Sequence, residues 1–548
     1  MKKKLFTIFS CFIFTLLGAQ EHIISGKVKG ISDGEVLLGY YYGNKQYVKD
    51  TVDAKNEYFE FRSENKFDEG MYFILLPDQQ YFQLIIDKTM SFHLESNITN
   101  LISDMKIKRS NENESFYEYQ KYTLQKGIEA SEIKEKLIST SKDSVKQKNA
   151  QKKLADINKQ VKEFKLDFIL KNSGTFFSKL LKAMDPIVIP ESPVGKNGKV
   201  DERFAYNYFK THYWDHFDLT DDRMIRTPIF HDKMEKYLNE YTIQAPDSIK
   251  KTLDILIEKV RPSSELFKYV INWATHHYES SKIMGQDAIF VHLVFAYFIT
   301  QQTPWIDEVK LTNIIDKAMR ISPNLIGTIA PFLDMPDENG ENQSLHDIDA
   351  EFTALFFYDP DCGHCKTETP KVKEIVANYA DKGVKVYAVC TEFDEEMWQE
   401  FIVNQGVESW TNVIDIENKS NFRGKYNIMG TPRLFVLDAN KKIIAKQIDS
   451  IALNEILEND GWRLTGEYHI VNVGLWQPDK NQTYAIELAR KCWDKYGWTY
   501  IFHFVGNQAP NFESYWKPLM KNLPPNIKIH GEKNTKDVSK FYKMADLL

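Results

Sequence analysis

The sequence predicts a multidomain chain: an all-β sandwich, then an all-α region, then an α/β domain, then a partial α/β fragment. Three patterns predict it. Short aromatic runs with period-two alternation fill residues 20–104, apolar residues three and four apart dominate 105–320, and strand and helix patterns alternate from 323 onward. A length of 548 residues, at roughly 100 to 200 per domain, leaves room for all four parts. The 70 basic and 77 acidic residues leave a net charge of −7, too mild and too mixed to argue for a nucleic-acid partner.

The chain opens MKKKLFTIFSCFIFTLLGAQ, with Lys2, Lys3 and Lys4 ahead of an apolar run from Leu5 to Leu17 and the small residues Gly18 and Ala19. This is the pattern of a secretory signal peptide over 1–19, too short for a stable membrane span, with cleavage expected between Ala19 and Gln20. An exported chain follows, destined for the periplasm or cell envelope, with no membrane span after signal removal. Cys11 has too few apolar residues before it for a lipoprotein site.

From 20 to 104, "HIISGKVKG", "GEVLLGYYYGNKQYVKDTVDA", "EYFEFRS", "MYFILLPDQQYFQLIID" and "MSFHLES" alternate apolar and polar residues and break at Gly, Asp and Asn. A small β-sandwich is expected, its aromatics filling a thin core. Across 105–320, Leu154, Ile157, Val161, Phe164 and Phe168 mark one face of a long helix, with Gly174 placed to cap it. The run "KQKNAQKKLADINKQ" reads as that helix's solvated face. "KTLDILIEKV", "SELFKYVINWATHHYESS" and "AIFVHLVFAYFITQ" predict further helices, and the adjacent His276 and His277 point apart, which makes them poor joint metal ligands.

After signal removal four cysteines remain: Cys362, Cys365, Cys390 and Cys492. A disulfide-stapled scaffold of this length uses far more cysteine, and no second CxxC supplies further zinc ligands, so no metal is expected. The lone CxxC points to thiol chemistry. It sits in "EFTALFFYDPDCGHCKTETPKVKEIVANYAD", a buried strand running into Cys362 and then a helix. A short hairpin around Glu338-Asn339-Gly340 precedes it; "GVKVYAVCTEFD", "MWQEFIVNQG" and "YNIMGTPRLFVLDANKKIIAKQ" then give a strand, a helix and a hairpin turning at Ala439-Asn440. At the strand-to-helix junction, unpaired N–H groups and the helix dipole favour a thiolate on Cys362, the expected nucleophile. Cys365, one turn deeper, is the natural resolving thiol.

That order of strand, CxxC, helix, strand, helix, Gly-Thr-Pro and hairpin makes residues 323–457 resemble the thioredoxin-like thiol-disulfide oxidoreductases of the TlpA type. The regions before it are similar to the β and helical domains found beside thioredoxin-like domains in exported bacterial proteins. The resemblance implies a kink in the active-site helix at Pro370 and a cis bond at Thr431-Pro432, where such folds offer backbone to an extended substrate. It also implies a buried acid near the cysteines at Glu368, able to relay protons. His364, between the cysteines as in the CGHC centres of disulfide isomerases, favours the thiolate and a more oxidising pair. Two positions depart from the family: Phe356 stands where thioredoxin has a buried aspartate, and Asp361 where a tryptophan usually precedes the first cysteine. Cys390 reads as an inert core thiol.

The resemblance implies reduction or exchange of disulfides in envelope proteins, recycled by an unidentified thiol electron donor and needing no cofactor. Two alternatives stand beside it. One is a peroxiredoxin-like peroxidase, whose PxxxTxxC pattern is contradicted by Asp359 at the threonine position. The other is a non-catalytic envelope binding protein with an incidental redox pair. Residues 465–548, with Gly474 and Gly506 ending strands and Lys480 between them, are similar to the start of a GT-B glycosyltransferase donor domain; the expectation is a truncated, partial Rossmann-like fragment without sugar-transfer activity.

Overall fold

A computed structural model describes residues 21–139, 144–194, 201, 204–458, 468–473, 482–496, 500–508, 510–521, 523, 526–533 and 538. The signal-peptide reading of 1–19 lies outside the described residues, as do Gly474 and Lys480. The chain forms two compact units, one of residues up to 242 with 252–270, the other of 243–251 with 271 onward. Among the described residues, no helix is long and apolar enough to cross a membrane.

The first unit begins with β1 (His22–Lys29), β2 (Gly34–Tyr42), β3 (Lys45–Ala54), β4 (Tyr58–Ser63), β5 (Gly70–Leu75), β6 (Tyr81–Ile86), β7 (Phe92–Asn97) and β8 (Lys106–Lys108). They form two four-stranded sheets, ordered β4-β1-β7-β8 and β3-β2-β5-β6. The period-two alternation is visible in burial: Phe59 and Phe61 on β4, Phe92 and Leu94 on β7, and Phe82 and Leu84 on β6 are all buried. Helix α1 (Asn111–Ser139) closes the β6 edge, because the Asn113 side chain accepts from Ile85 N (2.8 Å) and donates to Ile85 O (2.7 Å).

The predicted periodic helix lies within α2 (Ser144–Lys171), which meets α1 through aromatic rings: Tyr122 stacks on Phe164 at 3.8 Å and Tyr119 meets Phe168 at 5.3 Å. Gly174 does not cap α2 in a left-handed conformation. The helix already ends at Lys171, a tight turn follows, and Thr175 caps the next helix, α3 (Phe176–Ala183), by accepting from Ser178 N. Then come α4 (Phe204–His212), α5 (Phe230–Asn239), α6 (Pro246–Val260), α7 (Ser264–Glu279), α8 (Asp287–Leu293) and α9 (Glu308–Ile321), with the division between units falling inside α6 and α7. His277 stacks on Trp273 at 4.7 Å, as a helix-face residue rather than a ligand.

In the second unit a hairpin of β9 (Asp334–Pro336) and β10 (Asn342–Ser344) turns at Gly340, whose φ of +79° requires glycine's freedom. The domain core is a five-stranded sheet, β13-β12-β11-β14-β15, built from β11 (Phe352–Tyr358), helix α10 (Gly363–Asn378), β12 (Val384–Cys390), α11 (Glu395–Gln405), β13 (Thr411–Ile414), α12 (Phe422–Tyr426), β14 (Arg433–Asp438) and β15 (Ile443–Ile448), and followed by α13 (Ser450–Glu458). β11 runs parallel to β12 and antiparallel to β14. Both of its faces are covered, so Thr353 to Tyr358 are all buried: Phe356 and Tyr358 face Cys365, Val372, Trp398 and Leu453, while Leu355 and Phe357 face Phe422, Tyr426 and Phe435.

The hairpin turn after β14 is longer than Ala439-Asn440. It runs over 439–442, held by Asp438 Oδ1, which accepts from Asn440 N (2.9 Å) and Lys442 N (2.8 Å), with Lys441 at φ +59°. Beyond α13, β16 (Tyr468–Val473), α14 (Gln482–Tyr496), β17 (Tyr500–Val505), α15 (Glu513–Leu519) and β18 (Ile527–Gly531) form a three-stranded parallel sheet with its helices, centred on Phe502 and Phe504. Gly506 directly follows β17, at φ +139°.

Candidate active site

The strand-to-helix junction is built by Asp359-Pro360-Asp361. Asp359 accepts from Asp361 N through its side chain (2.8 Å) and from Cys362 N through its carbonyl (3.1 Å), a turn that ends β11 and starts α10. Cys362 is therefore the N-cap residue, with extended backbone (φ −72°, ψ 119°); its side chain makes no capping hydrogen bond, but it stands at the positive end of the α10 dipole. The Thr431-Pro432 bond is cis, and the Cys362 thiol lies 3.7 Å from the Thr431 carbonyl oxygen. Pro370 lies inside α10.

The two thiols are free and differ sharply in surroundings. Burial pushes Cys362 up, but hydrogen bonds from the Cys365 backbone and thiol, from Thr431 and from the His364 backbone outweigh it and hold the pKa below the ordinary thiol value. Cys365 is fully buried, and that burial pushes it up to about 12, with the Cys362 thiol adding to the rise and the Asp359 N–H, 3.5 Å from its sulfur, opposing it. Cys390 lies on the same face of the sheet, and burial pushes it too up to about 12. The site thus holds one accessible thiol biased toward ionisation and two buried thiols, Cys365 and Cys390, that burial biases toward the protonated form.

His364 is exposed, and its contribution to Cys362 comes through its backbone N–H. Glu368 departs from the expected buried acid. It is half-buried, accepting from Lys371 Nζ (2.6 Å) and from Ser450 N (3.1 Å). Burial pushes its carboxyl up, but these two donors prevail and hold it below the usual carboxylate range. A groove of about 420 Å³ runs between α10 and the start of α13, lined by His364, Glu368, Thr431, Pro432, Gln447 and Ser450 among others. The last part of that wall was invisible in the sequence: Gln447 and Ser450 arrive from β15 and α13, far along the chain, and carry no motif. Asp361 is exposed and pairs with Lys366 at 3.3 Å. Among the described residues, no three His, Cys, Asp or Glu side chains come close enough together to hold a metal ion.

Residues 326–446 match the model of the AhpC/TSA family. A domain of a possible thiol-disulfide isomerase from Cytophaga hutchinsonii is 42% identical, over 25% of this chain and 92% of that one, with a TM-score of 0.24. Residues 326–446 thus form a thioredoxin-like thiol-disulfide oxidoreductase domain. Within that family, the thiol-disulfide oxidoreductase ResA of Bacillus cereus is 25% identical over 123 residues, 22% of this chain and 69% of the relative. A thioredoxin-like protein from Bacteroides caccae is 18% identical across 50% of this chain and 99% of that one, with a TM-score of 0.37. Ahead of the oxidoreductase domain, residues 22–116 and 141–324 match two separate domains of unknown function.

Proposed function

We propose that this oxidoreductase acts after export, in the periplasm or cell envelope, reducing or exchanging disulfides in envelope proteins through its Cys-Gly-His-Cys pair. Cys362 attacks a substrate disulfide and forms a mixed disulfide; Cys365 then attacks Cys362, releasing the substrate thiol and closing the Cys362–Cys365 disulfide. A thiol donor returns the pair to the dithiol. Thr431 and Pro432 present backbone to an extended substrate segment, His364 and Glu368 flank it in the groove, and Pro370 shapes the helix carrying both thiols. The opposite displacement of the two thiol pKa values carries this reading: the accessible sulfur is activated and the deep one is kept protonated until the first bond has formed.

Insulin reduction and the refolding of a scrambled disulfide substrate test it. Cys362→Ala abolishes both, and Cys365→Ser accumulates mixed disulfides with substrate. Activity that survives Cys362→Ala overturns the reading, and peroxide consumption without disulfide exchange replaces it with the peroxidase alternative. The segment 465–548 is read as dispensable for exchange and as having no sugar-transfer activity. A chain ending at Glu458 keeps α13, whose last carbonyls accept from Lys382 Nζ (2.8 Å to Leu457 O, 3.5 Å to Glu458 O). Its exchange activity matches that of the full chain, and sugar transfer by the full chain refutes the assignment.

A further inference from the structure

β15 is an edge strand of the five-stranded sheet, and its pairing with β14 is irregular. Ile448 faces Leu434 and Ala445 faces Val436, so Lys446 and Gln447 together stand opposite Phe435, a bulge with one extra residue on β15. Gln447 carries the consequence. Its φ is +53°, and among the described residues it is the one non-glycine residue inside a β-strand that adopts the left-handed region. Glycine or asparagine takes that conformation at lower cost than glutamine. The bulge accounts for the bend, and it does not account for the long side chain kept there.

That side chain stands at the groove beside the cysteines. Gln447 lines it together with Thr431, whose carbonyl lies 3.7 Å from the Cys362 sulfur, and Pro432. The groove's apolar wall is formed by Phe356, Val372, Leu434 and Ile448, and its volume of about 420 Å³ falls within the roughly 300–1,000 Å³ of clefts that hold a ligand. The two carboxylates on its polar side are already engaged. Glu368 accepts from Lys371 and Ser450, and Asp449 Oδ1 accepts from Ala452 N at 2.8 Å in the first turn of α13. The Gln447 carboxamide, by contrast, is exposed and has no hydrogen-bond partner among the described residues. It offers an acceptor and two donors at one place, the pattern that matches the C=O and N–H of a peptide unit.

We propose that Gln447 is a specificity-determining residue whose carboxamide bonds the main chain of the substrate segment lying against Thr431 and Pro432, while an apolar side chain of that segment fills the groove. The inference deepens the exchange reading above and rests on it. The site then selects disulfides carried on an extended polypeptide, with an apolar residue beside the reacting cysteine, over small disulfides that do not reach β15. Gln447 binds substrate in this role and leaves the sulfur chemistry to the cysteines.

The test measures how fast the reduced full chain, in a Cys492→Ser background, forms its Cys362–Cys365 disulfide with three oxidants: a short peptide disulfide with leucine beside its cysteine, the same peptide with serine there, and Ellman's reagent. The wild-type chain should react faster with the leucine peptide than with the serine peptide. Gln447→Met keeps the length of the stem without the carboxamide, and Gln447→Gly takes the left-handed backbone without strain. Each is expected to lower the ratio of the leucine-peptide rate to the Ellman's rate about three- to tenfold, the range for losing one neutral hydrogen bond. An unchanged ratio in Gln447→Met overturns the proposal, since a fall confined to Gln447→Gly would belong to the backbone. Equal slowing with the peptide and with Ellman's reagent also overturns it, because the residue would then act on the thiol pair, and so does a wild-type chain indifferent to leucine or serine. A wild-type chain that forms the Cys362–Cys365 disulfide with none of the three overturns the exchange reading itself, an outcome distinguishable from these.

Discussion

The Glu368 carboxylate accepts a hydrogen bond from the backbone N–H of Ser450 at 3.1 Å, joining the helix that carries both cysteines to a residue 82 positions along the chain. Lys371 holds the other carboxylate oxygen at 2.6 Å. The acid therefore braces the wall of the active-site groove while remaining half-exposed to it. A carboxylate so held is ionised at neutral pH, which suits it to supply fixed charge beside the cysteines and leaves it a poor proton store.

Glu368→Gln is expected to lower stability at pH 7 by about 1 kcal/mol, the scale of a lost charge-assisted hydrogen bond at a partly exposed site. Because the folded pKa lies below the ordinary value of 4.5, the stabilisation is full above that value and lost as pH falls through the folded pKa. Urea unfolding at pH 7 and pH 3.5 checks it: the difference between wild type and variant should shrink at the lower pH. A constant difference would mean that the carboxylate charge contributes nothing. The pH–rate profile of exchange reads the relay role separately, since a relay would shift the optimum and a brace would scale the whole profile.

The thiols should also separate by pH. Iodoacetamide labels the thiolate, so Cys362 is expected to react with a midpoint below the ordinary thiol value while Cys365 and Cys390, both at about 12, stay unlabelled at pH 8 in the folded protein. Mass spectrometry of the labelled peptides decides it. Labelling of Cys365 at a rate equal to that of Cys362 would reverse the roles of nucleophile and resolving thiol.

The fold around these thiols was legible in the sequence wherever a local pattern determines local structure. A seven-residue run, "FTALFFY", in which only Thr353 is polar, reads as a strand covered on both faces, and β11 is that strand. The alternation that predicted the small β-strands reappears as alternating burial. What escaped depended on contacts between distant residues or on side-chain competition for backbone. Glu368 reads as a buried acid only through the family resemblance; its partners Lys371 and Ser450 hold it half-buried at the groove wall, and nothing near "KTETP" announces Ser450. The four-residue turn after β14 depends on Asp438 taking two backbone N–H groups, and Gly174 lost its capping role because Asn172 and Thr175 had already closed the turn.

In the N-terminal unit, Asn113→Ala is expected to destabilise by about 2–4 kcal/mol, because it strands both the N–H and the C=O of Ile85 on an edge strand covered by α1. Thermal unfolding of the variant checks the size. Asn113→Asp is the sharper comparison, since it keeps the acceptor for Ile85 N and loses the donor for Ile85 O. A loss below about 0.5 kcal/mol in Asn113→Ala would mean that water replaces the side chain at that edge.

The last prediction concerns Lys446 on β15, one residue before Gln447 in the groove wall. Its ammonium pairs with Asp287 on α8 and also donates to the carbonyl (2.9 Å) and the side-chain oxygen (3.2 Å) of Asn324. The lysine side chain is only 9% exposed and that of Asp287 26%, so neither partner is freely hydrated. Asp287 Oδ1 already lacks a hydrogen bond, which makes the carboxylate dependent on the lysine. Lys446→Met preserves most of the packing of the aliphatic stem but leaves that carboxylate, and both Asn324 oxygens, without their cation. Breaking such a pair from one side costs about 3 kcal/mol, whereas replacing both partners costs far less. Lys446→Met should therefore lose about 3 kcal/mol in urea unfolding, and Asp287→Leu added to it should recover at least half, a coupling that the double-mutant cycle reads directly. Additive losses would show that the two charges do not depend on each other, and that β15 is held against the helical layer by apolar packing alone.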